Sequence, residues 1–185
     1  MGTLLVVAWQ RYLHSLGKRP LITKAITSGT LAAVADVLAQ KMGGAKHLQP
    51  KKSALMAVYG LCFGGPTYHF FHKIMDRVFG AKTDPSTVIQ KVVVEQLTFG
   101  VMYNLAILTY RAYVVEGLTW AATKAKVRRD YWGVQKQGWK LWPLVAFINY
   151  SFLPPQLRVL FANVLSIFWV CFLIMRSKVA TVKDR

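Results

Sequence analysis

Acidic side chains are scarce: 7 Asp and Glu stand against 24 Lys and Arg, a formal net charge of +17 over 185 residues. Nucleic acid is the usual partner of such an excess. Here the basic residues are spread through every connector and form neither one face nor a known nucleic-acid motif, so no nucleic-acid partner is expected. Cysteine is nearly absent. Cys62 and Cys171 sit inside apolar blocks without a CxxC spacing, which argues against a disulfide framework and reads as two buried thiols. Catalytic signatures are missing too: there is no GxSxG, no HExxH and no Gly-rich phosphate loop. The sequence therefore predicts no enzyme, no cofactor and no metal site. No basic region precedes the apolar run Thr3 to Trp9 and no small-residue cleavage site follows it, so a secretory signal peptide is not expected. Val6 stands where a myristoylation motif wants Ser or Thr, and Lys183-Asp184-Arg185 is not the soluble peroxisomal address.

What is present is apolar sequence, 54% of the chain, arranged in blocks with the Lys and Arg residues between them, where phosphate headgroups can meet them. This pattern predicts one all-α integral membrane domain over residues 1–185, an helical bundle of about four transmembrane helices with interfacial amphipathic helices. Leu4 to Leu16 forms such an interfacial helix, with Leu5, Trp9, Tyr12 and Leu16 on one side.

The first span, Pro20 to Gln40, carries an acid in its second half. Gly29, Ala33, Asp36 and Gln40 follow the spacing that puts them on one helix face, flanked by Ser28, Ala32, Ala35 and Ala39, so another helix can approach closely. Facing lipid at mid-bilayer, Asp36 would cost roughly 2.5 to 3.5 kcal/mol on insertion scales, so it points into protein or a wet cavity. In a wet passage its charge would favour cations. As a packing group it would lock helices together by hydrogen bonding and stay dry.

The second block starts at Ser53 after the basic turn Met42 to Lys52. Gly64-Gly65-Pro66 at its centre predicts a kink that opens space between helices, and His69, His72 and Asp76 beyond it share a face. Interfacial or packed histidines are the expectation there, since no third metal ligand is evident. Asp84-Pro85-Ser86 reads as a turn and cap for the third block, Val88 to Glu116. That block holds Glu95, Gln96 and Asn104, and Gln96 with Gly100 repeats the small-and-polar spacing around Asp36. Glu95 fits a headgroup level or a bundle role equally. Leu118 to Trp132 reads as an amphipathic helix lying on the membrane. Leu144 to Leu153 is too short to cross and reads as a half-helix broken at Pro154-Pro155, with Arg158 near the break and either at a headgroup or, the favoured reading, paired to Asp36 or Glu95. Both termini then lie on one side. Lys and Arg divide almost evenly between the two sides, so the positive-inside rule assigns no orientation.

Four separated patterns resemble the Mpv-seventeen and small peroxisomal membrane protein family, in particular its plant peroxisomal branch. They are Pro20-Leu21-Ile22-Thr23-Lys24 with Gly29, Asp36 and Gln40; Gly65-Pro66 with His69 and Asp76; Lys91 with Glu95-Gln96; and Trp142-Pro143 with Asn149-Tyr150, Pro154 and Arg158. Many members of that family have Asp-Gln at Glu95-Gln96, Gln at Ala146 and Phe at Tyr150. The resemblance implies a peroxisomal membrane address, with the mitochondrial inner membrane as the alternative, and for several members a pore for small hydrophilic solutes. It also implies membrane lipids, such solutes and the peroxisomal membrane-protein import machinery as partners, and allows a homo-oligomer. A polar hub of Asp36, Gln40, Glu95, Gln96, Asn104 and Arg158 could line such a pore. The same groups would serve a non-conducting structural or lipid-organising protein.

Overall fold

The computed structural model describes residues 2–80 and 82–183. Asp184 and Arg185 of the C-terminal tail lie outside the described residues. The described chain is helical, as the apolar blocks predict, and contains no strand. Its elements are α1 (Gly2–Lys18), α2 (Pro20–Gly43), α3 (Pro50–Tyr59), a first π-helical turn π1 (Gly60–Gly64), α4 (Gly65–Phe79), α5 (Pro85–Leu97), α6 (Phe99–Tyr110), a second π-helical turn π2 (Arg111–Val115), α7 (Trp120–Phe152) and α8 (Arg158–Lys183). Two compact units result, Met1–Phe70 with Val159–Arg185, and Phe71–Arg158.

Local chemistry sets the boundaries. Pro20, Pro50 and Pro85 each open a helix, where a missing N–H costs nothing. Gly44 ends α2 at φ +86, a conformation that suits glycine, and its N–H caps the helix carbonyls. Within the expected turn Asp84-Pro85-Ser86, Asp84 caps α5: its carboxylate accepts from the Thr87 N–H at 2.9 Å. That backbone bond holds the Asp84 carboxyl below the usual carboxylate range.

In the first unit α2 packs on α3 and π1 at backbone contact distance. A Cβ on Gly60 would lie 2.5 Å from the Ser28 carbonyl oxygen, and one on Gly65 would lie 2.6 Å from Ala25 Cα. The kink expected at Gly64-Gly65-Pro66 is thus a π-turn that closes space instead of opening it. On an ideal α-helix two residues five apart point about 140° away from each other. The π-turn, closed by the Gly65 N–H on the Gly60 carbonyl, stacks both glycines toward α2. Cys62, between them, is exposed with Leu61 and Phe63, so it is not the buried thiol the apolar block suggests. It faces away from the glycine seam.

In the second unit the third block is α5, α6 and π2 in succession, stepped at Thr98 (φ -115, ψ -76). Gly100 is no site of close helix approach: a Cβ there would meet nothing nearer than the Glu95 carbonyl at 3.5 Å. Alongside runs α7, a single helix of 33 residues. The surface helix Leu118 to Trp132 and the half-helix Leu144 to Leu153 are its two ends. No breaker separates them: Gly133 and Gly138 tolerate helix, and Pro143 is accommodated inside it. At about 1.5 Å per residue α7 is roughly 50 Å long, enough to cross a bilayer. It packs against α5, α6 and π2 throughout, burying Thr123, Val127, Gln135, Gly138, Val145, Ala146, Asn149 and Tyr150.

By length and hydropathy Pro20–Gly43 and Pro85–Val115 qualify as membrane spans. Large apolar side chains such as Ile22, Ile26, Leu97, Met102 and Leu105 point outward, while Asp36, Lys91, Glu95, Gln135, Asn149 and Arg158 are buried. That is the polarity of a bundle whose surroundings are lipid.

Candidate functional site

The buried charges of the second unit gather around one ring. Tyr150, near the end of α7, is 1% exposed and packs with Val88 and Ala146. Its hydroxyl bonds the Glu95 carboxyl at 2.6 Å. The Arg158 guanidinium lies 5.1 Å from the ring centroid, the Lys91 ammonium 5.6 Å, and His72 meets the ring edge-on. Each cation meets the ring where its quadrupole is attractive.

Asp76, on the last turns of α4, completes the set. Arg158 donates to both of its carboxylate oxygens, at 2.9 and 3.0 Å, and Lys91 approaches one at 3.4 Å. Lys91 is fully buried and donates to the Gly80 carbonyl at 2.7 Å and the Lys82 carbonyl at 3.4 Å, so it also closes the C-terminal end of α4. The cluster holds two acids and two bases, Asp76 and Glu95 against Lys91 and Arg158. Lys91, Glu95 and Arg158 are buried and Asp76 is partly exposed, and burial of three such groups is tolerable only in a paired set.

Arg158 therefore does not pair with Asp36 or Glu95 as expected; its partner is Asp76. The Pro154-Pro155 turn brings the first residue of α8 back beside the end of α4, and sequence distance gave no sign of this. Glu95 is a bundle residue, 6% exposed, and not one at a headgroup. Lys91, Asp76 and Tyr150 carry as much of the cluster as the expected residues do. Lys91 was visible only as a motif position, Asp76 as a motif position that shares a helix face with His69 and His72, and Tyr150 as a departure from the motif.

The other expected hub residues lie elsewhere. Asp36, 3% exposed, accepts from Gln40 Nε2 at 2.7 Å and Ser53 Oγ at 2.8 Å within the first unit. Gln40 also exchanges bonds with the Gln49 backbone, fastening the end of α2 to the start of α3. Ser28 on α2 accepts from Asn163 of α8 at 2.8 Å in the same unit. In the second unit Asn104 donates to Gln135 at 2.8 Å beside Gly138, and the Gln96 carbonyl accepts from Trp139 at 3.4 Å. The six expected residues thus form three separate groups: Asp36 with Gln40, Glu95 with Arg158 about Tyr150, and the α6–α7 contacts of Gln96 and Asn104. Among the motif residues, Gly29 and Gly65 sit on the α2 seam, and Pro20 and Pro66 lie in first helical turns. Thr23 bonds the Arg19 carbonyl at the α1–α2 junction. His69 stacks edge-on with Phe70, Trp142 covers Gly138, Pro143 lies inside α7, Asn149 donates to the Arg158 carbonyl, and Pro154 begins the turn before α8.

A family model described as the Mpv17 / PMP22 family matches residues 113–174. The chain is 37% identical over 172 residues to peroxisomal membrane protein PMP22 of Arabidopsis thaliana, covering 93% of this chain and 90% of the relative. It is 33% identical to peroxisomal membrane protein 2 of Bos taurus, covering 96% and 93%, and 26% identical to mitochondrial inner membrane protein Mpv17 of Caenorhabditis briggsae, covering 92% and 93%. No solved structure matches the chain.

Proposed function

We propose that this chain, which belongs to the Mpv17 / PMP22 family and resides in the peroxisomal membrane, is a non-enzymatic pore for small hydrophilic solutes. The observation that supports this reading is the polarity of the second unit. A rod that qualifies as a membrane span, Pro85–Val115, turns Ile89, Val93, Leu97, Met102 and Leu105 outward and sets Lys91, Glu95, Gln96 and Asn104 against the polar side of α7. Helices that merely needed to adhere in lipid would manage with small residues and an occasional amide. Four ionisable groups about one aromatic ring is a more polar interior than adhesion requires.

One observation favours the second reading, a non-conducting structural or lipid-organising protein. Asp36 is almost without exposure and has two side-chain donors on one oxygen, as a packing residue would. Asp36→Asn is therefore expected to lower thermal stability, because Gln40 and Ser53 lose a charged acceptor, and not to set ion preference. Reconstitution of purified protein in planar bilayers tests the pore directly. Discrete conductance absent from protein-free bilayers is the expected result; a silent wild type would remove the pore reading and leave the structural one.

A further inference from the structure

The exposed face of α7 carries a basic stripe. Lys126, Arg129, Gly133, Lys136 and Lys140 follow one another at alternating intervals of three and four residues, the spacing that aligns side chains along one side of a helix. Lys126 is anchored by Glu116 and Arg129 by Asp130. Lys136 and Lys140 are exposed, and among the described residues neither has an ion-pair partner. Gly133, between Arg129 and Lys136, faces open space, with nothing within 4 Å of where its Cβ would stand.

Depth makes this stripe informative. Gly100 is the midpoint of the span Pro85–Val115, and Asn104 and Gln96 lie four residues to either side of it, about 6 Å along the rod. Gln135, the residue before Lys136, is bonded to Asn104; Trp139, the residue before Lys140, is bonded to the Gln96 carbonyl. Lys136 and Lys140 therefore stand beside the middle of a membrane span, about 9 Å short of the edge of a hydrocarbon core whose half-thickness is about 15 Å. A lysine side chain there reaches the interface only with strain, and two of them facing lipid one turn apart would be strongly unfavourable. By hydropathy α7 does not qualify as a span, although it packs along a helix that does.

We infer that the α7 stripe is the wetted wall of the solute path, and that it selects small anions such as carboxylates and phosphates. The inference rests on the pore reading above and adds the lining residues and the class of solute to it. Water along the stripe removes the cost of exposing Lys136 and Lys140 at that depth. Fixed positive charge between low-dielectric walls concentrates anions and repels cations. Gly133 leaves the wall open between the charged positions, whereas a larger side chain would narrow it. Asp36, the acid that suggested a cation preference, belongs to the first unit and is buried there.

The test is the reversal potential of reconstituted protein in a potassium chloride gradient. Wild type is expected to favour chloride, and Lys136→Gln with Lys140→Gln to lower the chloride-to-potassium permeability ratio several-fold. A variant that folds poorly is controlled by charge rescue. With Cys62 and Cys171 replaced by serine, Lys136→Cys should show the lowered ratio, and an ethylammonium thiosulfonate reagent should restore it. Conduction with a ratio that neither substitution nor rescue moves would overturn the assignment of the stripe while leaving the pore intact. Cation preference in the wild type would overturn it as well. A silent wild type would take both readings down together.

Discussion

Asp76 is the residue on which the charge balance of the Tyr150 cluster depends. Among the described residues Arg158 forms its ion pair with Asp76, but Asp76 also serves Lys91. Replacing Arg158 by Gln leaves Asp76 facing Lys91, still paired. Replacing Asp76 by Asn leaves two buried cations beside one ring with only Glu95 to offset them. Asp76→Asn should therefore cost more than Arg158→Gln, and the loss should approach the roughly 3 to 5 kcal/mol typical of breaking a buried pair. Thermal unfolding in detergent gives the ranking, and the reverse order would show that Lys91 is held by its backbone carbonyl acceptors alone. The sequence signalled these residues unevenly. Asp36 and Gln40, four apart on one helix, were legible as a pair because helical spacing alone joins them. Asp76 and Arg158 are 82 residues apart and meet only through the turn at Pro154-Pro155. Even so, the three positions at which the chain departs from the pattern it resembles, Glu95, Ala146 and Tyr150, are neighbours. The longer acid reaches a hydroxyl that phenylalanine lacks, and Ala146 packs beside the ring.

At the scale of elements, α7 shows where pattern reading failed. Its first third is amphipathic and its last third short and apolar, so hydropathy divides it in two. The division follows from what faces each part, not from any break in the backbone. Gly60 and Gly65 were easier to read as special and harder to read correctly, because a Gly-Gly-Pro run suggests a bend and carries no sign of a π-turn. Their role makes a sharp prediction. Gly65→Ala places a methyl 2.6 Å from Ala25 Cα, and Gly60→Ala one 2.5 Å from the Ser28 carbonyl, both backbone atoms that cannot swing aside. Each should destabilise by about 1 to 3 kcal/mol or more, the usual range for overpacking. Gly17→Ala and Gly133→Ala, where nothing stands within 4 Å, serve as controls. They should be neutral or slightly stabilising in the same unfolding assay, since alanine is the better helix former.

For the molecule in its membrane, the continuity of α7 predicts the sidedness of the second unit. An antiparallel pair of rods of about equal length puts the connector 116–119 at one end and the turn 153–157 at the other. Had Leu118 to Trp132 lain on the surface before a half-helix, both connectors would have emerged on one face. Single cysteines at Leu118 and Gln156, with Cys62 and Cys171 replaced, should react with an impermeant reagent from opposite sides of sealed vesicles. Labelling of both from the same side would mean that α7 does not cross.

The π-turn at Gly60–Gly64 also bears on chain length. It makes a five-residue glycine spacing behave like the four-residue spacing that an α-helix presents on one face. Removing one residue between the two glycines, Cys62 for instance, would let the segment close as ordinary α-helix with both glycines still turned toward α2. A deletion that in most helices rotates everything beyond it by about 100° would here be taken up by loss of the turn. The seam that admits no added methyl group can thus lose a whole residue and keep its contact.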